Sequence, residues 1–150
     1  MRCVIQRVLQ ASVEIDKVIH SEISTGLLVL LGVEDGDESD DAIWLSSKIA
    51  RIRIFSDGVG KMNQSVIETG GEVIVVSQFT LHASTKKGNR PSFLRAAIPE
   101  ISRPLYQQFC TALEKELGKP VGRGVFGADM KISLINDGPV TILIDSRNRE

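Results

Sequence analysis

Apolar residues gather in short runs along this chain, and the spacing inside each run predicts an element. Residues 2–8 are strand-like. Residues 13–15 and 18–19 repeat that composition on either side of Asp16-Lys17, which predicts a tight turn between two short strands. Residues 26–33, Gly-Leu-Leu-Val-Leu-Leu-Gly-Val, are apolar without a break. A short run bounded by glycine and by charge predicts a fully buried strand. The acidic, glycine-containing residues 34–41 read as a solvated loop. Ala42, Leu45, Ile49 and Ile52 then recur at spacings of 3, 4 and 3. That is one apolar stripe of an amphipathic helix, with Ser39 or Asp40 placed to cap its first turn.

Residues 53–55 resume as a strand, and Ser56-Asp57-Gly58 turns the chain. After a turn at Gly70-Gly71, the β-branched residues 72–79 predict a second buried strand. A polar, basic loop follows over residues 81–91. Leu105, Phe109, Ala112, Leu113 and Leu117 share one helical face, with Gly118 where a terminating glycine belongs and Pro120 beyond it. Proline fits the first turn of a helix, so Pro104 places the start near Ser102. Residues 131–135 and 140–144 predict two last strands around Asn136-Asp137-Gly138-Pro139, a turn composition. The strands are short and mostly joined by turns, which argues against a doubly wound parallel sheet. The expected architecture is a single α/β domain over residues 1–150: a strand-rich, curved, barrel-like sheet, antiparallel or mixed, covered by two main helices.

Composition narrows the function classes. With 42% apolar and 25% charged residues among 150, the chain matches an ordinary globular domain, large enough to bury a core without a disulfide or a metal. A net charge of −1 lacks the positive excess of a protein that grips nucleic acid over a long footprint. Any such contact is expected to be short and local. Cys3 and Cys110 lie in apolar surroundings and read as buried thiols of a reducing compartment. With only His20 and His82 beside them, no metal site is expected. The first residues are too polar for a secretory signal, and the longest apolar run, residues 27–31, is too short to span a bilayer. The expected location is the cytoplasm.

Familiar catalytic motifs are missing: there is no Gly-x-Ser-x-Gly, no phosphate-binding loop, no His-Glu-x-x-His and no Cys-x-x-Cys. Gly58-Val59-Gly60 reads as a hairpin turn. Two other segments stand out. In Ser77-Gln78-Phe79-Thr80-Leu81, polar residues interrupt a buried apolar strand. Buried polar side chains cost free energy unless hydrogen-bonded, so the segment either carries chemistry or marks where the strand surfaces. In Asn136-Asp137-Gly138-Pro139-Val140-Thr141, proline removes a donor beside exposed carbonyls. That fits a plain turn or a backbone ligand site.

Together these segments resemble the D-aminoacyl-tRNA deacylase family, whose Ser-Gln-Phe-Thr-Leu and Asn-x-Gly-Pro-Val-Thr motifs stand here at residues 77–81 and 136–141. Ile5-Gln6-Arg7-Val8, Ala11-Ser12-Val13, residues 26–33, residues 53–57, residues 60–63, residues 90–93 and residues 124–130 follow in family order, so the likeness spans the chain. The resemblance implies hydrolysis of the ester joining a D-amino acid, or glycine, to the 3′ acceptor end of tRNA. It implies a homodimer with its active sites at the interface and no metal or organic cofactor. Catalysis would fall to Ser77, Gln78, Phe79 and Thr80. Gly138-Pro139 would be a cis bond that enters the partner's site, holds the substrate α-amino group with its carbonyls and excludes an L side chain. Arg7 resembles the arginine that fixes this Gly-Pro, and Phe126 and Met130 resemble pocket-lining positions. His82 falls where the family varies and receives no catalytic role.

The implied chemistry is physically economical. Aminoacyl esters are already reactive, so positioning and oxyanion stabilisation suffice; backbone N–H groups near Gln78, Phe79 and Thr80 are the candidate donors. A nucleophilic Thr80 needs an activating base, and no motif supplies one. Activation of water by the terminal 2′-hydroxyl of the substrate is the expected route. Lys86, Lys87 and Arg90 form a basic loop after the first motif, either a solvated face or a contact for tRNA phosphates. Rival readings are a non-catalytic nucleic-acid-binding module on the same fold, a structural dimer and a generic esterase.

Overall fold

The computed structural model describes residues 1–149. Its first strand is longer than predicted: β1 runs Arg2–Ile15 without interruption. Asp16 and Lys17 turn the chain with φ of 50° and 65°, the left-handed pair a two-residue hairpin requires. β2 (Val18–Ile23) and β3 (Gly26–Gly32) then pair antiparallel with successive halves of β1. α1 (Ser39–Arg51) is entered from Glu38 rather than from a Ser39 or Asp40 cap, with the Glu38 N–H donating to the Asp41 carboxylate at 2.9 Å. The strand predicted at residues 53–55 shrinks to β4 (Phe55–Ser56), paired with β5 (Met62–Gln64). β5 was invisible to the pattern because its residues are polar or exposed.

β6 (Glu72–Ser77) lies parallel to β3 and ends two residues earlier than predicted. α2 (Pro99–Leu117) starts ahead of Ser102, because Pro99 itself takes the first turn, where a missing N–H is harmless. Pro104 consequently sits inside the helix, at the cost of one backbone bond. Gly118 ends α2 at φ 68°, its N–H bonded to the Glu114 carbonyl. β7 (Gly122–Arg123) pairs parallel with β6, and β8 (Lys131–Asp145) closes along β1. The sheet is thus mixed, in the order β2-β1-β3-β6-β7 with β8 on the other side of β1. Among the described residues no helix is long and apolar enough to cross a membrane.

Two register breaks shape the site. In β1, an extra residue between Val8 and Gln10 reverses which face the strand buries. Cys3 and Ile5 join the core under the two helices, whereas Val8, Ala11 and Val13 join a second core with Leu28, Ile74 and Val76 on the opposite face. β3 and β6 are covered on both sides, which is why they read as unbroken apolar runs. In β8, Thr141 faces Gln6 and Asn136 faces Val8, leaving residues 137–140 opposite Arg7 alone. The predicted hairpin turn at residues 136–139 is therefore a bulge in one strand. Both arms of β8 pair with β1, so they are not free to pair with each other.

Candidate active site

β3 and β6 end together, and a cleft of about 350 Å³ opens there, as crevices do outside the carboxyl ends of parallel strands. The last link is the Gln78 N–H donating to the Leu31 carbonyl at 2.7 Å. Beyond it the chain coils into a 3-10 turn over Phe79–His82. Gly32 makes room for this turn: a Cβ there would lie 2.9 Å from the Gln78 carbonyl oxygen and 3.0 Å from the His82 ring. Arg2 braces the turn, donating to the Leu81 carbonyl at 3.1 Å while pairing with Asp145 at 2.9 Å. Ser77, Gln78 and Phe79 line the cleft, facing Ser102 and Tyr106 of α2 and Phe126 and Met130 of the segment before β8. The Gln78 amide donates to the Thr80 hydroxyl at 2.5 Å. Phe79 is exposed and meets Phe93 edge-on at 5.1 Å. Phe126 meets Tyr106 at 6.2 Å, with the Arg103 guanidinium 5.0 Å from the Phe126 ring centre.

The second motif lies elsewhere. The Gly138–Pro139 bond is cis, and Gly138 has φ 119°. Both residues are exposed and neither lines the cleft of their own chain. Arg7 is buried behind them, donating to the Ile54 carbonyl and holding Asp137 at 2.8 Å. Gln6 takes hydrogen bonds from Asn136 and Thr141, the residues flanking the bulge. Among the described residues β8 pairs only with β1, and Leu134, Ile135 and Leu143 on it are exposed.

A family model for D-Tyr-tRNA(Tyr) deacylase matches residues 4–145. The chain belongs to that family. Relatives named D-aminoacyl-tRNA deacylase from Parabacteroides distasonis and Flavobacterium psychrophilum are 62% and 63% identical over 150 residues, covering 100% of both chains in each case. A solved structure of a c-Myc DNA unwinding element binding protein is 37% identical at a TM-score of 0.91, over 97% of this chain and 98% of that one. A probable eukaryotic D-amino acid tRNA deacylase, 17% identical over 95% of this chain and 97% of its own, shares the fold at a TM-score of 0.82.

The deacylase motif residues divide between two places. Ser77, Gln78, Phe79, Phe126 and Met130 meet at the cleft, with exposed Thr80 on the adjoining turn; Arg7, Gly138 and Pro139 gather at the bulge. Lys86, Lys87 and Arg90 are exposed on a loop pinched by reciprocal Ser84–Ser92 backbone bonds of 2.8 Å. They do not line the cleft, but Phe93 ties the foot of their loop to Phe79. Ser102 and Tyr106 were missed, and Tyr106 carries the only early signal: it is the one tyrosine, set on the apolar side of α2. Its hydroxyl donates to the Val75 carbonyl at 2.8 Å, and burial pushes its pKa up. Burial likewise pushes the Cys3 thiol to about 12 and the Cys110 thiol to about 11, so neither is a nucleophile at neutral pH. Among the described residues, no three His, Cys, Asp or Glu side chains converge to hold a metal ion.

His82 is buried beneath the 3-10 turn that it ends, against Gly32 of β3. Burial pulls its pKa below the ordinary 6.5, although Glu34 lies 3.8 Å from Nδ1. The folded chain then binds fewer protons at this site than the unfolded one. This group's contribution is full above the unfolded pKa and declines as the pH falls below it, by at most about 1.4 kcal/mol per pH unit. The carboxylates with lowered pKa, such as Asp41 and Asp145, act in the same direction only below about pH 4. In urea melts across this range, His82→Leu is expected to flatten the slope between pH 7 and 5. An unchanged slope would place its origin elsewhere.

Proposed function

We propose that this chain hydrolyses the ester bond of D-aminoacyl-tRNA, and of glycyl-tRNA, releasing free amino acid and tRNA. It acts as a cytoplasmic homodimer in which residues 1–150 form one deacylase domain. One observation carries the reading: the motif that would sort the substrate lies outside the cleft that would cleave it, on an exposed bulge of the same chain. A second copy seated against the open edge of β8 supplies the missing half of the site. Isologous contacts of this kind produce two equivalent sites, and exposed Leu134, Ile135 and Leu143 provide apolar area for the interface.

In this reading the partner's Gly-Pro carbonyls hold the α-amino group, and the space beside them admits hydrogen or a D side chain only. Phe126 and Met130 line the pocket for the acceptor end. The N–H of Gln78 is occupied by Leu31, so the oxyanion falls to the N–H groups of Phe79 and Thr80. The first N–H groups of a helical turn have no partner within that turn, and such donors stabilise developing negative charge. The Thr80 hydroxyl is bonded by the Gln78 amide, which is no base. Water is therefore activated by the substrate's own 2′-hydroxyl, without a metal or an organic cofactor.

The test is hydrolysis of matched D-, L- and glycyl-tRNA. Release from the D- and glycyl-forms alone is expected; release from L-tRNA at a similar rate overturns the proposal. Undiminished cleavage of a 2′-deoxy substrate would reject substrate assistance. Replacing Lys86, Lys87 and Arg90 with alanine is expected to raise KM for charged tRNA, by a factor that shrinks with added salt because phosphate contacts are electrostatic. The second reading, non-catalytic nucleic-acid binding, is favoured by the name of the c-Myc DNA unwinding element binding relative. Tight nucleic-acid binding without any deacylation would establish it.

A further inference from the structure

The bulge in β8 poses a mechanical problem. Four residues, 137–140, stand opposite Arg7 alone, so the regular ladder does not hold them in place. Residues that oppose one another across a bulge lose ladder bonds and are free to bend. Arg7 restrains one side of the loop through Asp137. The other restraint lies at its neck. Asn136 Nδ2 and Thr141 Oγ1, the two residues at which pairing with β1 resumes, both donate to one atom, Gln6 Oε1, at 3.2 and 2.5 Å. Gln6 itself is the β1 residue paired with Thr141 and, on its other side, with Leu28 of β3, so its backbone is anchored between two strands.

We infer that Gln6 is a positioning residue that closes the neck of the bulge and fixes the direction in which Gly138–Pro139 projects. The inference rests on the reading that this Gly-Pro segment sorts the substrate. Gln6 lies outside the cleft of its own chain and touches no reacting atom there. It acts because both flanks of the bulge share one acceptor: neither can move without breaking a bond to the other's partner. Arg7 and Gln6 then divide the work, one fixing the loop from behind and the other drawing its ends together.

The chemistry of the acceptor makes this testable. Gln6→Glu keeps an acceptor oxygen of the same reach, and both Asn136 and Thr141 can still donate to it. Gln6→Leu keeps the volume and removes the acceptor, and Thr141→Val removes one of the two donors while preserving a strand-forming shape. With D- and L-tyrosyl-tRNA as substrates, Gln6→Leu is expected to lower kcat on the D-substrate by about 10–100-fold, the scale of an ångström-sized misplacement, with KM little changed and a smaller D/L ratio. Thr141→Val should show a smaller loss of the same kind, and Gln6→Glu should remain within about threefold of the wild type if the shared acceptor is the whole effect. Thermal melts establish that each variant is folded; if Gln6→Leu is not, the Thr141→Val and Gln6→Glu pair decides.

Gly138→Ala is measured alongside. If it alters D/L discrimination while Gln6→Leu and Thr141→Val do not, Gln6 has no positioning role. If none of the variants alters discrimination, it is the Gly-Pro reading itself that fails. If Gln6→Glu is as impaired as Gln6→Leu, the shared acceptor is not what Gln6 contributes, and the inference is overturned.

Discussion

Replacing Gly138 with alanine is expected to lower kcat/KM for D-tyrosyl-tRNA by about 100-fold or more, and to erode D/L discrimination in whatever activity remains. The reason is local and steric. Gly138 holds φ 119°, a conformation L side chains rarely adopt, and an added Cβ would lie 2.8 Å from Val140 Cγ2 and 3.0 Å from Arg7 Nη2. Neither neighbour yields easily. Arg7 is buried and bonded to the Ile54 carbonyl while it holds Asp137, and Val140 packs against the helix-side core. The bulge itself must move, and with it the backbone carbonyls assigned to the substrate. Such strain costs roughly 1–3 kcal/mol, against a typical domain stability of about 5–15 kcal/mol, so the variant should remain folded. Steady-state kinetics on paired D- and L-substrates, with a thermal melt as control, separates the two effects. An unchanged D/L ratio in a folded Gly138→Ala protein would remove the bulge from substrate selection.

What could be read from the chain beforehand follows from which forces leave a mark in composition. β3 and β6 are covered on both faces, so residues 27–31 and 73–76 are all apolar and the strands are plain. α1 and α2 each bury one stripe, and the 3–4 spacing displays it. Register breaks leave no such mark. Nothing in the composition of residues 131–145 distinguishes two strands with a turn from one strand with a bulge, because Asn, Asp, Gly and Pro suit both. Only the continuity of β1 decides between them, and the pattern of β1 is itself interrupted at the exposed Leu9 and Gln10, where its own register shifts. The cleft was legible in part for the same reason. Ser77 and Gln78 interrupt an apolar run and draw notice, and the family motifs place Phe126 and Met130. Ser102 arrives only because α2 starts at Pro99, a start that reasoning from Pro104 alone concealed.

The acidic segment after β3 shows the same limit with a larger energetic consequence. Residues 34–41 look like a solvated loop, yet the Asp37 side chain is fully buried. It accepts a hydrogen bond from the Met1 ammonium at 2.7 Å and from the Glu34 N–H at 2.6 Å, and Arg147 lies 3.1 Å away. The same ammonium donates to Ser146 at 2.7 Å, and the Ser146 N–H returns to the Met1 carbonyl at 2.8 Å. Asp37 thus joins the start of β1 to the end of β8 and to the turn carrying Glu34, three segments far apart in the chain. Asp37→Ala leaves the buried Met1 ammonium without its counter-charge, and breaking a buried pair from one side costs about 3–5 kcal/mol. At about 2–4 °C per kcal/mol for a chain of this size, the melting temperature should fall by roughly 6–20 °C. Denaturant unfolding should show a lower midpoint at an unchanged slope, since the same surface is exposed. Because Asp37 does not line the cleft, the folded fraction should keep its kcat on D-aminoacyl-tRNA. A variant that melts like the wild type would mean that water or Ser146 satisfies the ammonium without the carboxylate, and that β1 and β8 are held together by their ladder alone.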